Sequence, residues 1–225
     1  EELAALGATA IDAGEAGVAF EGPFELAYAA NLESRLATRV LMRVARFAYR
    51  NETDIYEGAK RVRWHAHFGL ARTFKVETTA VKAPVKSIDF VTLRVKDAVA
   101  DVFRDTLGKR PDVAPRSPDV RVHAFLDARE CTLYLDTSGE PLFKRGRRDQ
   151  IGEAPLKKNL AAGLLRLSGW KPGEALLDPM CGAGTILIEA AEMALDRAPG
   201  VDRAFGFEKL NRFDAEKWAA LRAAA

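Results

Sequence analysis

Residues 175–191 read Ala-Leu-Leu-Asp-Pro-Met-Cys-Gly-Ala-Gly-Thr-Ile-Leu-Ile-Glu-Ala-Ala. The pattern predicts a short apolar strand, Ala175–Leu177, that ends in the Asp178 carboxylate. A tight loop with two glycines follows, then a helix from Thr185 to Leu195. In doubly wound sheets ligands sit at strand carboxyl ends, and glycine lets the backbone turn sharply and approach a ligand closely. A nucleotide P-loop needs Lys after its last glycine, and Thr185 stands after Gly184. A dinucleotide fingerprint needs a third glycine where Leu187 stands. S-Adenosylmethionine carries no phosphate. Asp178 could hold its ammonium, directly or through water, and the Gly182–Thr185 amides could hold its carboxylate at the positive end of the helix. The alternative is a plain strand-to-helix turn without a ligand. That would be the better reading of a bare Gly-x-Gly, but the longer Asp-Pro-Met-Cys-Gly-x-Gly-Thr run favours the cofactor. Cys181 beside a helix start could be an activated nucleophile. No His lies near it in sequence, and a packing role for a small side chain is the preferred reading.

A body of protein must position that loop. The chain has 225 residues, 29% charged and 48% hydrophobic, an ordinary globular composition. That length allows one large domain or two small ones and buries a core without metal or disulfide staples. Two cysteines, Cys131 and Cys181, make no disulfide framework and favour the cytoplasm. There is no apolar run long enough for a membrane helix. The acidic start, Glu-Glu-Leu-Ala-Ala-Leu, is not a signal peptide. It lacks Met and reads as mid-helix, so residues are expected before Glu1.

Periodicity divides the chain. Residues 1–50 read as a small α/β unit, with a strand at Ala16–Phe20, a helix at Pro23–Leu32 and a strand at Arg39–Tyr49. Residues 51–137 read as a second. Thr53 or Asp54 caps a helix reaching about Val62, and Thr73–Val81 is a strand. Ser87 caps a helix with the stripe Val91, Val95, Ala98, Val99, Val102 and Phe103. A loop with three prolines spans Lys109–Asp119, and a hairpin turns at Asp127–Glu130. Residues 138–152 are rich in Gly and Arg and read as a linker. Pro155–Leu167 reads as an amphipathic helix.

The net charge is +2, but it is unevenly spread. Residues 60–96 hold nine basic side chains against Glu77 and Asp89, a local net of +7. Lys82, Lys86, Arg94 and Lys96 lie in this window, and a second cluster is Lys144, Arg145, Arg147 and Arg148. Such clustering suits a polyanion such as RNA, and a merely solvated face is the competing account. Trp64 could stack on a base, though a core role suits it better. His65 and His67, two apart on a strand, could form a metal pair, but no Cys or acid accompanies them, so no metal is expected. His123 reads as an exposed strand residue, and Glu189 and Glu192 as surface or capping charges.

At these residues the chain resembles the THUMP-domain RNA methyltransferases, and most of all the bacterial large-subunit ribosomal RNA guanine-N2 methyltransferases. The likeness runs through Ser87–Asp101, Arg110-Pro-Asp, Pro118–Val122, Leu133–Arg148, Gly152–Ala162 and Leu176–Ala191. The resemblance implies an α/β fold. A ferredoxin-like domain would span residues 1–50 and a THUMP RNA-binding domain 51–137. A linker would follow at 138–152, then the start of a Rossmann-like class I methyltransferase domain at 153–225. It implies S-adenosylmethionine as cofactor, with Pro155, Lys157, Met180 and Cys181 beside Asp178, Gly182, Gly184 and Thr185, and large-subunit rRNA as partner. Where the family has Leu-His-Lys-Arg-Gly-Tyr-Arg, this chain has Phe143 for His and Arg147 for Tyr. The family's Asn-Pro-Pro-Tyr catalytic loop has no match, so the chain reads as truncated and inactive by itself. A non-catalytic RNA-binding module and an adenine-N6 nucleic-acid methyltransferase remain as alternatives.

Overall fold

The computed structural model describes residues 1–14, 17–145 and 156–225. In chain order the elements are α1 (Glu2–Ala5), β1 (Thr9–Ala13), β2 (Val18–Glu21), α2 (Glu25–Glu33), β3 (Leu41–Ala48), α3 (Glu52–Lys60), β4 (Phe74–Ala80) and α4 (Ile88–Leu107). Then come β5 (Val120–Leu126), β6 (Glu130–Asp136), α5 (Lys158–Leu167), α6 (Thr185–Ala194) and α7 (Ala215–Ala223). They fall into two units. The sheet unit is Leu41–Gly139 with Phe205–Phe213, and the loop-bearing unit is Glu1–Val40, Glu140–Ala204 and Asp214–Ala225.

The sheet unit is a four-stranded sheet in the order β3-β6-β5-β4. Strands β4 and β5 are parallel, which demands a crossover, and α4 supplies it. Ser87 starts α4, its hydroxyl accepting from the Phe90 amide at 3.2 Å, and Gly108 stops it at φ 73°. The whole predicted stripe, Val91 to Phe103, is buried. It packs on the sheet at β4, where Phe74 and Val76 are buried, and in the neighbouring β5 Val120, Val122, Ala124 and Leu126 alternate buried with half-buried residues. Phe68 packs beneath, 5.0 Å from the Phe103 ring and 6.1 Å from that of Phe74. Trp64 is fully buried with its indole N–H donating to the Ala59 carbonyl at 2.8 Å, so it belongs to the core.

Three details differ from expectation here. The strand grouped with residues 1–50 pairs antiparallel with β6, from Leu41–Asp136 to Ala48–Glu130, and so joins this sheet. Asn51 caps α3 in place of Thr53 or Asp54, its side-chain oxygen accepting from both their amides at 2.9 and 3.0 Å. The segment Phe205–Phe213 returns to the sheet, with the Phe207 amide donating to the Thr137 carbonyl. Gly206 is required there, because a Cβ would lie 2.7 Å from the Asp136 carbonyl oxygen.

In the loop-bearing unit β1 and β2 form an antiparallel pair with a bulge between Thr9 and Asp12. Strand β1 was not anticipated, because every residue in it is exposed and no burial alternation marks it. Tyr28 of α2 lies 6.1 Å from the Trp218 ring of α7, and its hydroxyl accepts from the Asp214 amide. Ala161, Ala162 and Leu165 of α5 are buried, as is Ala190 of α6. No helix among the described residues is long and apolar enough to cross a membrane.

Candidate cofactor loop and basic surfaces

The loop after Asp178 is held by its own short-range hydrogen bonds. Asp178 Oδ1 accepts from the Met180 amide at 3.1 Å, and the Gly184 amide donates to the Cys181 carbonyl at 2.7 Å. Gly182 and Gly184 sit at φ +52° and +70°, where a Cβ is disfavoured. Gly184 is the N-cap of α6 and brings no side chain to cap it, so the first-turn amides face outward with the positive end of the helix. Apart from its two chain neighbours, no atom of the described residues lies within 4 Å of where a Gly182 Cβ would stand. Glycine is thus kept there by backbone conformation and leaves an open approach. The donor set fits an aminoacyl group, with amides for a carboxylate and the second Asp178 oxygen for an ammonium. Thr185 opens α6 as predicted.

Around the loop the sequence expectation fails in places. Ala175–Leu177 is not a strand, since nothing among the described residues pairs with it, and Leu177 is 87% exposed. Met180 and Cys181 are exposed too, so Cys181 lacks the packing role read for it. Lys157 lies with its ammonium 5.2 Å from the Phe143 ring centre, while Pro155 is outside the described residues.

One turn into α6, Glu189 is fully buried rather than a surface charge. Its Oε1 accepts from Arg35 at 3.0 Å and from Arg145 at 2.6 Å. Arg35 also donates to the Glu192 and Arg197 carbonyls, and Arg145 to the Arg35 carbonyl. Arg145, read as an RNA contact, is therefore committed inside the protein, because a buried cation must keep its counter-charge. Lys144 remains exposed and pairs with Glu140 at 3.0 Å, whereas Arg147 and Arg148 lie outside the described residues.

In the sheet unit the +7 window is partly neutralised by acids beyond it. Lys60 pairs with Asp105 and Lys96 with Asp97; Arg72 lies 3.8 Å from Asp119. Lys75 binds Glu77 at 3.0 Å. Burial would raise the Glu77 carboxyl, but that hydrogen bond and the charges of His123, Lys75 and Arg121 hold it below the ordinary range. Arg94 stacks 4.3 Å above the Tyr56 ring. The cations of the window left without an acidic or aromatic partner among the described residues are Arg61, Arg63, Lys82 and Lys86. Lys82 and Lys86 project from the segment before α4, and Phe90 nearby is 50% exposed, an aromatic the sequence reading passed over.

His65 and His67 lie at a 3-10 turn, Trp64–Ala66, and not on a strand. No group of three metal-ligating side chains occurs among the described residues. His123 is half-buried, 3.6 Å from Asp136 and 3.7 Å from Glu77, and is not the exposed residue expected.

With this geometry in hand, three family descriptions match in succession. Residues 1–41 match the RlmL ferredoxin-like domain, 49–136 the THUMP domain and 145–224 the RMKL-like methyltransferase domain. The chain thus carries a THUMP domain and an RlmL-like methyltransferase domain on one mixed α/β fold. Among individual proteins it is 45% identical over 210 residues to the ribosomal RNA large subunit methyltransferase K/L of Psychromonas ingrahamii. That match covers 93% of this chain and 28% of that protein, so the chain spans under a third of its curated relative. A solved structure of a predicted N6-adenine-specific DNA methylase from Listeria monocytogenes superposes with a TM-score of 0.90 at 32% identity, covering 100% of this chain and 59% of that one. SMU.472, solved in complex with SAH, gives 0.88 at 30% identity over 99% of this chain and 59% of its own.

Proposed function

We propose that the protein acts as an S-adenosylmethionine-dependent RNA methyltransferase on large-subunit ribosomal RNA, with guanine N2 as the acceptor. The RNA-holding role falls to residues 51–137 and the cofactor role to residues 153–225. One observation carries the reading: a glycine-turned helix start that follows Asp178 closely in sequence occurs in the same chain as a THUMP-matching segment whose surface cations include four that meet no acid among the described residues. The bound cofactor would supply an electrophilic methyl group on its sulfonium. The first-turn amides of α6 would hold its carboxylate and Asp178 its ammonium. Lys82, Lys86 and Lys144 would hold phosphates and set the RNA's position without reading its sequence. The free thiols of Cys131 and Cys181 fit a reducing cytoplasm.

Calorimetry of this chain with S-adenosylhomocysteine, and filter binding with a ribosomal RNA fragment, test the two halves of the reading. Binding of both is expected, and failure of either removes that half. Methyl transfer is tested on a protein of the relatives' full length, with nucleosides analysed by mass. N2-Methylguanosine is expected. N6-Methyladenosine would instead support the adenine reading, which the likeness to the Listeria methylase favours.

A further inference from the structure

A groove of about 490 Å3 runs between the outer edge of β3 and the C-terminal end of α3. Of its ten lining residues three are Arg and one is His, and none is acidic. Arg46 is ion-paired with Glu130, but Arg61 and Arg63 are exposed and have no partner among the described residues. Arg61 caps the C-terminal end of α3, where the helix dipole favours a cation. That accounts for Arg61 alone. Arg63 and His67 lie beyond the helix, and Asn211 brings Arg212 to the same place, its amide donating to the His67 carbonyl at 2.8 Å and its side chain to the His65 carbonyl at 3.1 Å. Burial, and then the charges of Arg212, Arg63 and His65, hold the His67 imidazole below its ordinary pKa, as expected where the local potential is positive.

The groove also has an apolar wall and a polar edge. Phe47 lines it with its ring set against Gly58, where a Cβ would come within 2.2 Å of that ring; Val62 lies alongside. Strand β3 is at the end of the sheet and carries a bulge between Arg43 and Ala45, and its outer backbone groups have no strand partner among the described residues. Free guanidiniums, an aromatic wall and unpaired backbone donors and acceptors form one combination. They suit a phosphate, a base face and a base edge. A cavity of this size lies in the range that takes a small molecule or one nucleotide.

We infer that this groove binds one nucleotide of single-stranded RNA, with its phosphate on Arg61 and Arg63 and its base against Phe47 and Val62. The inference rests on the RNA-binding half of the proposed function and places a contact at β3, the opposite edge of the sheet from β4, which Lys82 and Lys86 follow. The test measures anisotropy of a labelled single-stranded octanucleotide RNA with the chain, its Arg61→Gln/Arg63→Gln variant and its Lys82→Gln/Lys86→Gln variant. All the exchanged side chains are exposed, and a thermal melt checks the fold. The groove variant should bind at least tenfold more weakly, and its slope of log affinity against log salt should flatten by about 0.7, the value for one phosphate on a single strand. Arg61→Lys/Arg63→Lys should recover most of the loss. 4-Thiouridine in the RNA should crosslink within residues 44–67. If the parent binds RNA and the groove variant stays within twofold, or crosslinks fall elsewhere, the groove is not an RNA site while the wider reading stands. If the parent binds no RNA, both fall. An acidic peptide that binds the groove while RNA ignores it would also overturn the assignment.

Discussion

Arg145 and Glu189 meet at 2.6 Å with both side chains out of solvent, and Arg35 reaches the same carboxylate oxygen from the other side. The pairing joins the last described residue of the arginine-rich segment to the helix that begins after the glycine turn. Two guanidiniums share one buried carboxylate, and a Glu192 carboxylate oxygen lies 4.0 Å from the Arg35 guanidinium. The cluster is thus vulnerable to loss of the single central charge.

Glu189→Gln should be the most destabilising conservative change in the loop-bearing unit. It strands two buried cations, and breaking a buried pair costs about 3–5 kcal/mol. For a protein of this size that corresponds to a fall in melting temperature of roughly 6–20 °C. Scanning calorimetry reads it directly, and a fall below about 2 °C would mean water reaches the cluster.

Asp178→Ala should weaken S-adenosylhomocysteine binding about ten- to a hundredfold, since a charge-assisted hydrogen bond contributes about 1.5–3 kcal/mol. RNA affinity should hardly change. Gly184→Val should be more severe, because φ +70° disfavours a β-branched residue and the side chain would crowd the helix start. Titration calorimetry and filter binding separate the two effects. Cofactor affinity within twofold after Asp178→Ala would make this loop a structural turn.

RNA affinity should decline with salt, each neutralised phosphate adding about −0.9 to the logarithmic slope on a duplex. Lys82→Glu with Lys86→Glu should weaken binding to a structured ribosomal fragment and lower that slope. Arg145→Gln should leave the slope unchanged despite its place in the basic cluster, because the side chain is buried. A salt-independent affinity would contradict the electrostatic account.

Cys131 and Cys181 should differ sharply in reactivity. Burial pushes the Cys131 thiol up to about 12, while Cys181 is exposed. Iodoacetamide at pH 8 should label one thiol in the folded chain and two in denaturant, counted by intact mass. Stability should respond in the same sense. The unfolded thiol ionises near about 8.5, so the contribution from keeping Cys131 neutral is complete below that pH. It is then lost as pH rises toward about 12. Cys131→Ala should remove that part of the alkaline loss in a urea melt followed over pH.

The elements of the sheet unit were legible in order and nearly in extent, because each announces itself locally. The α4 stripe repeats at the helical period, β5 alternates at period two, and Ser87 and Gly108 mark the ends of one helix. The glycine turn into α6 was legible for a similar reason: two glycines and a carboxylate within seven residues describe a backbone path and a charge. What the sequence left open is everything settled by partners distant in the chain. Arg145 and Arg63 are both arginines in basic runs, yet one meets Glu189, 44 residues away, and the other meets no acid among the described residues. Ala175–Leu177 has the composition of a strand, but a strand exists only where a neighbour completes its hydrogen bonds, and none of the described residues does so. Even β3, correctly read as a strand, found its sheet only through β6, some ninety positions onward. Local periodicity acts through neighbouring backbone geometry. Charge pairing and strand membership depend on which surfaces the folded chain brings within a few ångströms, and that the tertiary structure alone decides.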